Sequence, residues 1–160
     1  MIEVRELTKE YGPNRGVDKI SFSVKEGQVV GFLGPNGAGK TTTMKILTCS
    51  LSPTSGEAEV AGYSILKNPI EVKKNLGYLP ETPPVYHDMV VRDYLAYTAV
   101  LHQVPKSNRE KLIDKALERC NLGSVAHRLV GNLSKGFKQR VGLAQAILHE
   151  PKVIILDEPT

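Results

Sequence analysis

The spacing of apolar residues changes period along this chain. Residues 17–25, VDKISFSVK, alternate Ile20, Phe22 and Val24 with Lys19, Ser21, Ser23 and Lys25. That period of two predicts a strand with one wet face, most often antiparallel. Residues 2–7 alternate more weakly, through Ile2, Val4 and then Leu7. QVVGFLG, residues 28–34, and KVIILDE, residues 152–158, are apolar on both faces, the pattern of strands buried in a parallel sheet. Gly56 and Gly62 bracket a short strand, EAEVA. Four segments carry helical spacing. Met44, Ile46, Leu47 and Leu51 form one apolar face, and Val90, Val91, Tyr94, Leu95 and Leu101 form a second. Leu112, Ile113, Ala116, Leu117 and Cys120 form a third, with Ser107 or Asn108 placed to cap its start. The fourth runs from about Ser134 to His149 and stops ahead of Pro151. Strands gather toward the two ends and helices between about residues 88 and 149, which predicts a helical insertion in an α/β core with an antiparallel edge region.

Composition narrows the class. With 160 residues the chain suits one ordinary domain, and 41% hydrophobic with 24% charged residues is typical of a globular protein. The formal charge is only +4, and Lys19, Lys25, Lys45, Lys67, Lys73 and Lys74 are scattered, which reads as a solvated surface and not as a nucleic-acid patch. Cys49 and Cys120 sit alone inside helical patterns without metal spacing, as thiols do in a reducing compartment. The start, MIEVRELTKE, is charged from its third residue, unlike a signal peptide. No apolar run approaches the roughly 18 to 20 residues of a membrane span. Any membrane role is therefore expected to come through a partner.

The stretch between the first doubly apolar segment and the first helix carries the chemistry. Gly34, Pro35, Asn36, Gly37, Ala38, Gly39, Lys40 and Thr41 fit G-x-x-x-x-G-K-[ST], and Thr42 follows within the same stretch. Glycines let successive N–H groups turn inward as an anion cradle, and the helix that follows adds the positive end of its dipole. Lys40 brings a charge to the β- and γ-phosphates of ATP, and Thr41 offers a hydroxyl to Mg²⁺. A plain glycine-rich turn is the bland alternative, but a strand before and an amphipathic helix after are the context a phosphate loop requires. VIILDE then supplies the usual counterpart. Asp157 can hold Mg²⁺ through its water shell, and Glu158 can orient or deprotonate the attacking water.

Leu133-Ser134-Lys135-Gly136-Phe137, then Lys138-Gln139-Arg140, a helix and the VIILDE strand resemble the signature motif of ATP-binding cassette (ABC) ATPases. The motif departs from LSGGQ at Lys135 and Phe137. The resemblance covers essentially the whole chain. It implies that Tyr11 stacks on adenine, the other reading being a packed strand-end tyrosine. It implies that Glu81 of LGYLPE stands where most members carry the Q-loop glutamine that senses Mg²⁺ and the γ-phosphate. It also implies that Leu133, Ser134, Lys135 and Gly136 contact the ATP of a second cassette. LGYLPE is similar to the ABC-2 exporter branch. TPPVYHDMVVRDYL then resembles the stretch that contacts the membrane subunit, or else is an exposed loop and helix start.

The implied fold is α/β, a P-loop NTPase with a RecA-like parallel sheet core, an antiparallel β subdomain and an inserted α-helical subdomain, incomplete at the C-terminus. Residues 1–160 would form a partial ABC ATPase domain. Segments 1–80 and 150–160 would make the P-loop core and antiparallel region, and 81–149 the helical subdomain with the Q-loop segment and signature motif. His87, His102, His127 and His149 all precede VIILDE, so none can be the family's switch histidine, and each reads as a surface or packing residue. Without the family's later strands, VVGFL is expected to expose apolar surface and unpaired backbone, and the 160 residues are expected to turn over little ATP. The implied function is the ATPase subunit of an ABC transporter, with ATP and Mg²⁺ as cofactors. A transmembrane permease subunit and a second nucleotide-binding domain, in a homodimer, would be its partners. No nucleic acid is expected, and the location would be cytoplasmic, peripheral on the inner face of the membrane. The alternatives are a soluble ABC ATPase acting on ribosome or DNA, and a nucleotide-binding fragment without turnover.

Overall fold

The weak alternation of residues 2–7 has a structural cause. In the computed structural model, which describes residues 1–157, strand β1 (Ile2–Tyr11) pairs antiparallel with β2 (Asn14–Val24). The register shifts between Val4 and Leu7. Glu6 takes a left-handed φ of 48°, and the next inward residue is Leu7 instead of residue 6. A bulge inserts one residue and resets the period, so Ile2, Val4 and Leu7 are all buried. On its other edge β1 pairs antiparallel with β3 (Ser55–Val60), which pairs with β4 (Tyr63–Ser64), giving the order β2-β1-β3-β4.

The chain forms two compact units, Met1–Leu76 and Gly77–Thr160. In the first, helix α1 (Lys40–Leu47) buries Thr43, Ile46 and Leu47, and α2 (Pro69–Lys74) buries Val72. Leu51 lies beyond the end of α1 and is only partly covered. Residues 28–33 carry the pattern of a buried strand but adopt no ladder, and Val29 is 100% and Leu33 94% exposed, in line with the apolar surface expected of VVGFL. Hydrophobicity does not make a strand by itself, because the backbone must find partners. Among the described residues the one backbone bond of this stretch is Gln28 N–H to the Lys25 carbonyl, 3.3 Å.

In the second unit, β5 (Leu76–Leu79) and β6 (Val153–Leu156) form a two-stranded parallel sheet. Here too the expectation of two covered faces needs correcting. Val153 and Ile155 are buried, whereas Ile154 and Leu156 are exposed, because β6 has one strand neighbour among the described residues and cover on one side. Helices α3 (Val91–Leu101), α4 (Lys106–Arg119) and α5 (Lys135–Ile147) enclose the larger core. Val91, Leu95, Ile113, Leu122, Val130 and Val141 are each completely buried in it. Leu101, assigned from its spacing to the apolar face of α3, is instead exposed at the helix end. Helix α4 is not capped by Ser107 or Asn108. Pro105 holds the N-cap position with φ −55°, close to the helical value, so the helix begins before either polar residue. Arg92 of α3 reaches Glu110 at 2.6 Å and Asp114 at 2.8 Å on α4. His102 and His149 stack with centroids 3.7 Å apart, and burial pushes the His102 imidazole pKa down. Among the described residues no helix is long and apolar enough to cross a membrane.

The two leucines of α3 separate burial from periodicity. Leu95→Ala is expected to lower unfolding stability by about 2–5 kcal/mol and Leu101→Ala by less than about 0.5 kcal/mol. Chemical denaturation of the two variants beside the parent chain measures the difference.

Candidate functional site

Helix α1 starts at Lys40, directly behind a backbone that turns left-handed at Gly39, φ 86°. A Cβ at Gly39 would lie 2.2 Å from the Gly16 carbonyl oxygen of β2, so only glycine permits this close approach. The first-turn N–H groups of Lys40, Thr41 and Thr42 have no carbonyl within the helix to receive them, and the helix dipole places partial positive charge there. Lys40 folds back over the loop, its Nζ donating to the carbonyls of Gly34 at 2.7 Å and Pro35 at 3.0 Å. The Ala38 N–H donates to the Pro35 carbonyl at 3.2 Å and tightens the turn. Thr43 donates its hydroxyl to the Gly39 carbonyl at 2.9 Å, which fixes that residue from the helix side. Asn36, Gly37 and Thr41 are exposed. The result is a basic, donor-rich concavity suited to a polyanion.

Beside it lies a cavity of about 210 Å³ lined by Gly16, Val17, Phe32, Gly37 and Thr43 among others. Tyr11 sits at the end of β1, 48% exposed, with its ring edge against Gly16, where a Cβ would come within 2.6 Å of Tyr11 Cε2. The Lys9 ammonium lies 5.6 Å from its ring centroid. Gly16 of β2 thus meets both Tyr11 and Gly39 of the loop.

The remaining candidates belong to the second unit. Asp157 follows β6, is 5% exposed and donates its N–H to the Leu79 carbonyl at 2.8 Å. Burial first, and the Asp157 charge second, push the Tyr78 phenol pKa up. Glu158 lies outside the described residues. Ser134 caps α5, its hydroxyl oxygen accepting from the Phe137 N–H at 3.4 Å. Ser134, Lys135 and Gly136 are exposed, whereas Leu133 is buried in the helical core. The Glu81 side chain is exposed, and its carbonyl accepts from Gln139 Nε2 at 3.2 Å.

Residues 17–160 match the family described as ABC transporter. The chain belongs to the ABC transporter family. The bacitracin transport ATP-binding protein BcrA of Bacillus licheniformis is 42% identical over 160 residues, covering 100% of this chain and 51% of that protein. The probable multidrug ABC transporter ATP-binding protein YbhF of Escherichia coli is 37% identical, covering 100% of this chain and 28% of that protein. A solved ATP-binding subunit of an ABC transporter superposes with a TM-score of 0.90 at 30% identity, over 99% of this chain and 66% of that one. The chain thus spans about half the length of its bacitracin-transport relative. These likenesses also carry the P-loop NTPase fold class.

Sequence reasoning missed two side-chain contacts, one in each unit. The Thr43 hydroxyl that pins Gly39 was readable only as a polar residue in a helix. Gln139, which holds Glu81, had no sequence signal because its partner is 58 residues away. Gly39→Ala is expected to remove nucleotide binding and to cost at least about 1 kcal/mol of stability, since alanine resists a left-handed φ even without the clash. Titration with a fluorescent ATP analogue, together with thermal unfolding, checks both halves.

Proposed function

We propose that the chain forms the ATP-binding and ATP-hydrolysing part of an ABC transporter subunit that powers transport through a partner membrane permease. The observation that carries this reading is the Lys40 ammonium, held at the mouth of a left-handed glycine turn where helix α1 begins. On binding ATP, Lys40 exchanges its two carbonyl partners for β- and γ-phosphate oxygens, and the first-turn N–H groups of α1 hold the rest of the charge. Tyr11 stacks on the adenine, and Pro35, Asn36, Gly37 and Ala38 wrap the phosphates.

Thr41, Asp157 and Glu81 supply hard oxygen donors, the set that suits Mg²⁺, and Asp157 sits where a buried carboxylate gains most from a cation. When bound, Mg²⁺ neutralises phosphate charge. Glu158 orients or deprotonates the water that attacks the γ-phosphorus. Ser134, Lys135 and Gly136 of one cassette, with the Leu133 backbone, close over the ATP of a second copy. Closure and reopening of that homodimer drive the permease.

Tyr86 and Tyr97, both exposed and meeting edge to face at 5.7 Å, support the stretch after Glu81 as the permease contact. Such a subunit sits on the inner face of the membrane. The names of the two relatives, bacitracin transport and probable multidrug transport, support a drug-type cargo.

Lys40→Ala in the full-length protein is expected to weaken ATP binding at least about tenfold, the scale of lost charge-assisted hydrogen bonds. Glu158→Gln is expected to keep binding while turnover falls by about 10²–10⁴. Nucleotide titration and phosphate release measure the two effects. Unchanged ATP affinity in Lys40→Ala would sink the reading.

A further inference from the structure

Gln139 lies on α5 shortly after the exposed Ser134–Gly136 stretch. Its Nε2 donates to the Glu81 carbonyl at 3.2 Å, while its Oε1 is buried without a hydrogen-bond partner among the described residues. The reverse amide orientation would set oxygen against oxygen, so the chemistry fixes which end faces Glu81. A buried acceptor without a donor is destabilising, and a methionine of similar volume would pack there with no such acceptor. The amide therefore contributes through its donor and not through packing.

What it holds is a fastened strap. At one end Gly142 of α5 leaves no space beside Pro83 and Leu79, since a Cβ there would come within 2.6 Å of Pro83 Cβ and 2.8 Å of Leu79 Cδ1. At the other end Gly131 N–H donates to the His87 carbonyl and Val130 N–H to the Met89 carbonyl, each at 2.9 Å. Glu81 lies between Leu79 and Pro83 at the first attachment, and the Gln139 bond is the one side-chain hydrogen bond to residues 79–89 among those described.

We propose that Gln139 is a positioning residue. It sets Glu81 in a fixed relation to Ser134–Gly136, so that a change at the Glu81 carboxylate on nucleotide binding is carried to the exposed start of α5. This rests on the reading of Glu81 as a Mg²⁺-sensing group. Removing the donor leaves the strap packed but lets Glu81 drift, which weakens the response to Mg²⁺ and spares the phosphate loop.

The test uses the full-length protein and a fluorescent ATP analogue, titrated with and without Mg²⁺, with thermal unfolding alongside. For Gln139→Met the Mg²⁺ concentration for half-maximal binding is expected to rise roughly fivefold, about the factor of one net hydrogen bond. Binding without Mg²⁺ should be unchanged and the unfolding midpoint equal or higher. Glu81→Ala should shift the Mg²⁺ dependence too, and the double variant should add nothing to Glu81→Ala, since both act through one group. No shift in Gln139→Met, a fully additive double variant, or a shift accompanied by a lower unfolding midpoint would each overturn the proposal. Lys40→Ala keeps the two readings apart. If it retains nucleotide binding, the phosphate-loop reading fails, whatever Gln139 does.

Discussion

A helix that starts in the open must leave its first N–H groups without carbonyl partners, and the first unit is arranged around that deficit at α1. Gly39 turns left-handed immediately before Lys40, and its backbone is pressed so closely against Gly16 that no side chain fits between them. Lys40 compounds the deficit by adding a full charge, balanced among the described residues by the carbonyl dipoles of Gly34 and Pro35. Two neutral carbonyls are a weak substitute for an anion, so the loop is held in a state whose electrostatics a phosphate improves.

The support of this loop does not come from where the sequence suggests. The apolar run before it, residues 28–33, forms no ladder and leaves Val29 and Leu33 in solvent. The loop is instead held from behind and below. Thr43 bonds the Gly39 carbonyl from within α1, and the bulged β1–β2 pair brings Gly16 against it. A site fixed through backbone contacts to an antiparallel pair keeps its geometry even where the preceding segment lacks partners.

What could be read from the sequence divides by the range of the physics involved. The phosphate loop and the start of α5 near Ser134 were legible because both are local, each depending on residues only a few positions apart. The bulge at Glu6 was visible as a broken alternation, although its cause needed the register with β2. The exposed apolar surface of residues 28–33 was expected, but their failure to form a strand was not legible, because apolar character measures a tendency to be covered and says nothing about what is there to pair with. The start of α4 was misread for a different reason. Ser107 and Asn108 are good caps in isolation, but Pro105 already holds φ near the helical value and so sets the boundary earlier. The Gln139–Glu81 bond joins residues far apart through a side chain, and no period or motif encodes it.

Ser134 shows why the chemistry of a cap matters beyond stability. Its oxygen accepts from the Phe137 N–H, which closes the first turn of α5. That bond engages a lone pair and leaves the hydroxyl proton free to donate. An aspartate would cap as well and suit the dipole, but would set a negative charge where the free N–H groups of Lys135 and Gly136 attract an anion. An asparagine would cap through its oxygen and fill the space beside Gly136 with a bulkier amide. Serine caps the helix and keeps a donor available, as its proposed contact with the ATP of a second cassette requires. Lys135 follows it with a charge of the favourable sign, so the replacement of a glycine there strengthens the attraction for an anion while giving up backbone freedom.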